Sequence, residues 1–158
     1  MRSIRALVDP LVDRGVLLAK ETVQLYEDVQ EFWVAEQAGR VVGCGAVHVM
    51  WEDLAEVRTL VVDDAVRGQG VGGRLLRRLL RTAAELGVRR VFTLTFEVDF
   101  FRRHGFEPIG EAPSVEPDVY AELLRSFDVG VAEFLDLEQV KPNTLGNTRM
   151  LTVLPDAG

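Results

Sequence analysis

Cysteine occurs once, histidine twice and lysine only twice, at Lys20 and Lys141, in 158 residues. One thiol cannot build a disulfide framework, and one Cys with two His falls short of a tetrahedral zinc site. No apolar run reaches the roughly 18 residues that a membrane span needs. The N-terminus also lacks the basic, apolar and small-residue succession of a secretory signal. These absences point to a cytoplasmic protein without metal or membrane partners. A basic excess is missing too: 18 Lys and Arg stand against 25 Asp and Glu, for a net charge of −7. No overall positive field exists to displace counterions from nucleic acid. What is present is globular stock, 47% apolar and 27% charged, which supports a packed core and argues against disorder. The length suits one domain, residues 1–158, of mixed α and β type. Cys44, within Val-Val-Gly-Cys-Gly-Ala-Val, reads as a core thiol, a reactive thiol being the alternative.

Periodicity sets the element order. Ile4, Leu7, Val8, Leu11 and Val12 recur at helical spacing, with Gly15 as a stop. A second helix is expected from about Glu21 to Gln30. Phe32–Ala35 and the Val-rich Arg40–Trp51 flank Ala38-Gly39 and read as a β-hairpin. Ala55–Val62 is a further strand. Val71, Leu75, Leu76, Leu79, Leu80, Ala83 and Leu86 mark a long amphipathic helix capped by Gly87, with arginines on its polar face. Arg90–Phe96 reads as a strand, Phe100–His104 as a brief helix and Asp118–Phe127 as another. Val129–Leu154 is a mixed tail ending in a strand through Met150, Leu151 and Val153.

The sharpest feature is Arg67-Gly68-Gln69-Gly70-Val71-Gly72-Gly73, between a strand and the long helix. Glycines let main-chain N–H groups approach an anion, and a helix start adds about half a positive charge. Such a turn suits phosphate. A P-loop would end in Gly-Lys-Ser/Thr, whereas Arg74 follows Gly73. Gly68, Gly70 and Gly73 spell a dinucleotide-type G-x-G-x-x-G. That fingerprint starts at the strand end, however, and needs an acidic residue about 20 positions on; Asp63–Arg67 intervenes, and no acid fits cleanly.

Leu60-Val61-Val62-Asp63 followed by Arg67-Gly68-Gln69-Gly70-Val71-Gly72 resembles the signature of the GCN5-related N-acetyltransferases (GNAT), with Phe101 to Gly105-Phe106 resembling that family's later motif. The resemblance implies a mixed, mostly antiparallel sheet with a central splay, flanked by helices (an α+β form of the α/β class), and acetyl-CoA as co-substrate. It places Leu60, Val61 and Val62 along the pantetheine arm. The diphosphate falls to Arg67, Gly68, Gln69, Gly70, Val71, Gly72 and Gly73. Arg74, Arg77 and Arg78 either reach the adenosine 3′-phosphate or form a solvated face. Members usually open with an Ile-Arg-x-Ala strand; here helical spacing begins at Ile4, so either the given start is late or that strand is absent, and a sheet edge is expected to be exposed or covered by a second subunit.

Gln30–Glu36, Val42–Ala46, Ala55–Leu60, Phe92–Phe96 and the tail Val140–Leu151 look more closely like the short amino-acid N-acetyltransferases that act as N-acetylglutamate synthases. The implied reaction is direct transfer of acetyl to the α-amine of L-glutamate, entering arginine biosynthesis, in a homodimer. Another amine, such as glutamine, a polyamine or a protein N-terminus, and a non-catalytic acyl-CoA-binding module are the alternatives. An amine is mostly protonated at neutral pH, so a base is required. The resemblance puts Glu56 in that role, a structural partner of Arg58 being the other reading. Glu56 and Arg58 alternate with Val57 and so share a strand face. Thr95 matches a position near the thioester sulfur, as proton donor or as plain strand residue, and Phe100 and Phe101 stand where relatives carry a tyrosine. Two acceptor carboxylates call for cationic and polar partners: Lys20, Arg58, Lys141, Asn147 and Arg149.

Overall fold

The computed structural model describes residues 1–17, 19–110, 115–137 and 146–155, so Lys141 lies outside the described residues. The elements are α1 (Arg2–Asp13), α2 (Thr22–Glu27), β1 (Phe32–Gln37), β2 (Arg40–Trp51), β3 (Leu54–Val62) and α3 (Val71–Glu85), then β4 (Arg90–Thr95), α4 (Val98–Arg102), β5 (Glu107–Pro108), α5 (Pro117–Leu123), α6 (Val129–Phe134) and β6 (Thr148–Val153). Among the described residues six strands form one mixed, mostly antiparallel sheet in the order β1-β2-β3-β4-β6-β5. By compactness the chain divides into Met1–His48 with Val57–Gly87, and Val49–Glu56 with Val88–Gly158.

In the first unit β1 and β2 pair antiparallel around Ala38 and Gly39, whose φ angles of 50° and 75° give the left-handed two-residue turn that matches strand twist. Val71, Leu75, Leu76, Leu79 and Ala83 are the buried face of α3, each large one contributing about 1.5–3 kcal/mol. The helix comes close because β2 carries glycines beneath it. A β-carbon at Gly43 would stand 2.9 Å from Leu75 Cδ1, and one at Gly45 would stand 2.8 Å from Leu79 Cδ1. Ile4 and Val8 of α1 pack with Cys44 and Val61. The second helix is shorter than its periodicity suggested: it ends at Glu27, and a 3-10 turn covers Val29–Glu31.

The second unit holds the cluster of Met50, Leu54, Phe92, Leu123, Val131, Phe134 and Leu135, with Phe92 and Phe134 edge-on at 5.5 Å. β3 and β4 pair in parallel over three residues of each, Leu54–Glu56 with Arg90–Phe92, and the pairing stops there. Two expectations shift. The helix expected over Asp118–Phe127 runs from Pro117 to Leu123. A separate helix, α6, occupies the start of the stretch read as mixed tail. Pro at the first position starts α5, and the Asp128 side chain starts α6 by accepting from Val131 N at 3.2 Å.

Candidate functional site

In the first unit β3 leads into the glycine-rich turn. Thr59 has φ 55°, a conformation that costs a β-branched residue about 1–3 kcal/mol, and it interrupts the extended geometry one residue before Leu60. Its carbonyl accepts the Cys44 thiol at 3.7 Å. Asp63 then closes a 3-10 turn by accepting from Ala65 N at 2.9 Å. Its other oxygen pairs with Arg40 Nη2 at 2.8 Å. Gly68 and Gly70 take φ +76° and +74°, which L side chains rarely adopt. Gly70 is the left-handed cap of α3, and no side chain caps that helix start.

That geometry suits a diphosphate. The first-turn N–H groups of a 15-residue helix carry the positive end of its dipole, and nothing lies within 4 Å of where a Gly68 side chain would stand. Arg74 folds back to donate to the Gln69 carbonyl at 3.1 Å and steadies the turn. Arg67 is exposed and pairs with Asp64 at 3.1 Å. Arg78 stacks 3.9 Å from the Trp33 ring centroid and lies 3.8 Å from Glu85, a structural engagement on the helix side.

Lys20 and Arg58 meet in this unit, around carboxylates that the sequence reading did not assign. Asp28 Oδ2 lies 3.2 Å from Lys20 Nζ and 3.4 Å from Arg58 Nη2. Glu31 bridges Arg58 at 3.2 Å and His48 Nδ1 at 2.6 Å. Asp28 caps the end of α2 and Glu31 ends the 3-10 turn, so both acids are delivered from more than one turn of chain away from the cations they meet.

The second unit carries the other expected residues. Glu56 is 4% exposed on β3, and its carboxylate lies against Gly130 at the start of α6. Thr95, at the end of β4 opposite Thr148, is buried and accepts from Glu97 N at 2.9 Å, so its oxygen starts the next turn while its proton remains to be donated. Asn147 precedes β6 and is half-buried. Arg149 donates to Phe134 O at 3.3 Å and Gly110 O at 2.9 Å and lies 3.6 Å from Asp136. Asp128 and Gly130 were missed from sequence. The signal for them was an Asp ahead of an apolar stretch, a helix-start mark.

The chain matches the model of the Acetyltransferase (GNAT) domain over residues 28–108. An amino-acid acetyltransferase of Mycobacterium tuberculosis is 56% identical over 155 residues, covering 96% of this chain and 88% of that protein. A crystal structure from the same species, in complex with CoA and NLQ, superposes with TM-score 0.92 at 55% identity, over 98% of this chain and 93% of that one. N-acetylglutamate synthase from Neisseria gonorrhoeae, complexed with coenzyme A and N-acetyl-glutamate, gives TM-score 0.77 at 22% identity, a likeness of fold. It covers 98% of this chain and 33% of that longer one. Together with the uncapped glycine turn, the family match and the close relative establish that the chain belongs to the GNAT acetyltransferases, enzymes that take acetyl-CoA as co-substrate.

Proposed function

We propose that the chain is an amino-acid N-acetyltransferase that moves acetyl from acetyl-CoA to the α-amine of L-glutamate, the first step of arginine biosynthesis, in the cytoplasm. The 158 residues work as one catalytic domain, and two copies pair as a homodimer. The observation that carries the reading is Glu56: a carboxylate 4% exposed, on the strand that delivers the chain to the diphosphate turn. Support for an amino-acid acceptor comes from the Mycobacterium tuberculosis amino-acid acetyltransferase, 56% identical.

In the proposed reaction Gly68–Gly73 hold the diphosphate by main-chain N–H groups, flanked by Arg67 and Gln69, and the main chain of Leu60–Val62 meets the pantetheine arm. Glu56 takes a proton from the acceptor ammonium, directly or through water. The freed amine attacks the thioester carbonyl and the C–N bond forms; the nitrogen then gives its second proton to solvent as the C–S bond breaks, and CoA leaves as a thiolate that takes a proton from solvent, directly or relayed through the Thr95 hydroxyl. No enzyme nucleophile is acylated. Lys20, Arg58, Lys141, Asn147 and Arg149 are the candidates for the acceptor's carboxylates.

One observation favours a second acceptor. Lys20 and Arg58 already face Asp28 and Glu31, so each of these cations has a carboxylate partner before any acceptor arrives. An uncharged side chain, such as that of glutamine, fits that balance better. A thiol-release assay at fixed acetyl-CoA with glutamate, glutamine and unrelated amines decides between them. Turnover highest with glutamate supports the first reading, highest with glutamine the second, and none with any amino acid removes both. Light scattering of the purified protein tests the dimer.

A further inference from the structure

Gly130 is the second residue of α6 and is buried. Its backbone does not call for glycine, because it is absent from the positive-φ positions and sits in regular helix. Glycine is a poor helix residue in such a place. What does call for it is space. A β-carbon at Gly130 would overlap Glu56 Oε2, and would stand 2.9 Å from both Glu56 Cδ and Asp128 Oδ1. The Glu56 carboxylate therefore occupies the volume that any other residue at 130 would fill.

The seat is held from two sides. Asp128 fixes the helix start through its bond to Val131 N, and Val131 and Phe134 anchor α6 in the core with Phe92, the residue paired with Glu56 across β3 and β4. Strand and helix are thus tied to the same buried cluster, and the gap between them has the width of a main chain without a side chain. We propose that Gly130 is a positioning residue for the acetyl transfer: its missing side chain sets where the Glu56 carboxylate stands when it takes the acceptor's proton. This inference rests on the reading of Glu56 as the base.

Gly130→Ala is the direct test, because the atoms it meets are side-chain ends rather than main chain: the Glu56 carboxylate, which takes the larger overlap, and the Asp128 oxygen that caps the helix. The expected result is a kcat lower by about 10- to 100-fold, the scale of a reacting group displaced by an ångström. KM for acetyl-CoA and CoA affinity stay within about twofold, since main-chain groups of another segment hold the carrier. In a Glu56→Gln background, Gly130→Ala should have no further effect on kcat, as coupled residues are non-additive. Wild-type kcat in Gly130→Ala, or an equal loss in the two backgrounds, overturns the proposal. Should Gly130→Ala not fold, Glu56→Asp combined with it retracts the carboxylate: recovery of folded protein upholds the clash, and continued misfolding overturns it. Wild-type kcat in Glu56→Gln alone would instead remove Glu56 as the base, a separate failure.

Discussion

The two units solve opposite problems. Around the glycine turn the groups suited to hold a ligand are main-chain N–H groups, and the charged side chains nearby are paired with each other: Arg40 with Asp63, Arg67 with Asp64, Arg74 with a loop carbonyl. Around Glu56 the group proposed as base is a side chain, and the space its carboxylate fills is one that a side chain at Gly130 would take. The difference teaches where substitutions should act. In the first unit backbone conformation matters and most side chains do not; in the second, small changes of volume reach a carboxylate.

Four substitutions and one titration press on that contrast. Glu56→Gln should lower kcat by about 10²–10⁴-fold while calorimetry finds CoA affinity nearly unchanged; a matching loss of both would merge the two units' roles. Gly70→Glu should weaken CoA binding by about 100-fold, through a side chain forced to φ +74° and a negative charge at the proposed diphosphate seat. Its melting temperature, read alongside, separates lost binding from lost fold. Arg149→Ala should cost about 2–3 kcal/mol in urea unfolding, because two carbonyls lose a charged donor. A rise in acceptor KM without that loss would mark Arg149 as a substrate contact rather than a structural one. Gly45→Ala should destabilise by about 1–3 kcal/mol by crowding Leu79 and Leu60, with kcat unchanged. The smallest effect concerns Cys44, whose thiol burial pushes up to about 12. An unfolded thiol ionises near 8.5, so this stabilising contribution is complete below that value and fades as pH climbs toward 12. Below it, alkylation should be slow and scale with the unfolded fraction and the reagent concentration.

Local features were legible. Ala38-Gly39 turns as a left-handed pair, α3 buries the leucines its period marks, and the Gly68–Gly70 turn has the dihedrals its composition suggests. Each depends on neighbours in sequence. The partners of Arg58 were not legible, because Asp28 and Glu31 arrive from 30 and 27 positions away. Nor was α6, since Val-Gly-Val has little helix preference and the helix is decided by an Asp cap and by Phe134 packing on Phe92. Arg149 could be picked out as a cation, but only tertiary structure assigns it to carbonyls of Phe134 and Gly110. Among site residues, then, the sequence pattern reveals which chemistry is present better than which groups are already engaged.

The placement of β6 has a consequence for biosynthesis. It lies between β4 and β5 although it follows both in the chain, pairing Arg90 with Val153 and Glu107 with Leu151. A nascent polypeptide emerging from the ribosome therefore carries β4 and β5 with no mutual hydrogen-bond partner until the final strand is released. Two raw edges are open to misassociation during that interval, and closure must await a pairing between strands far apart in the sequence.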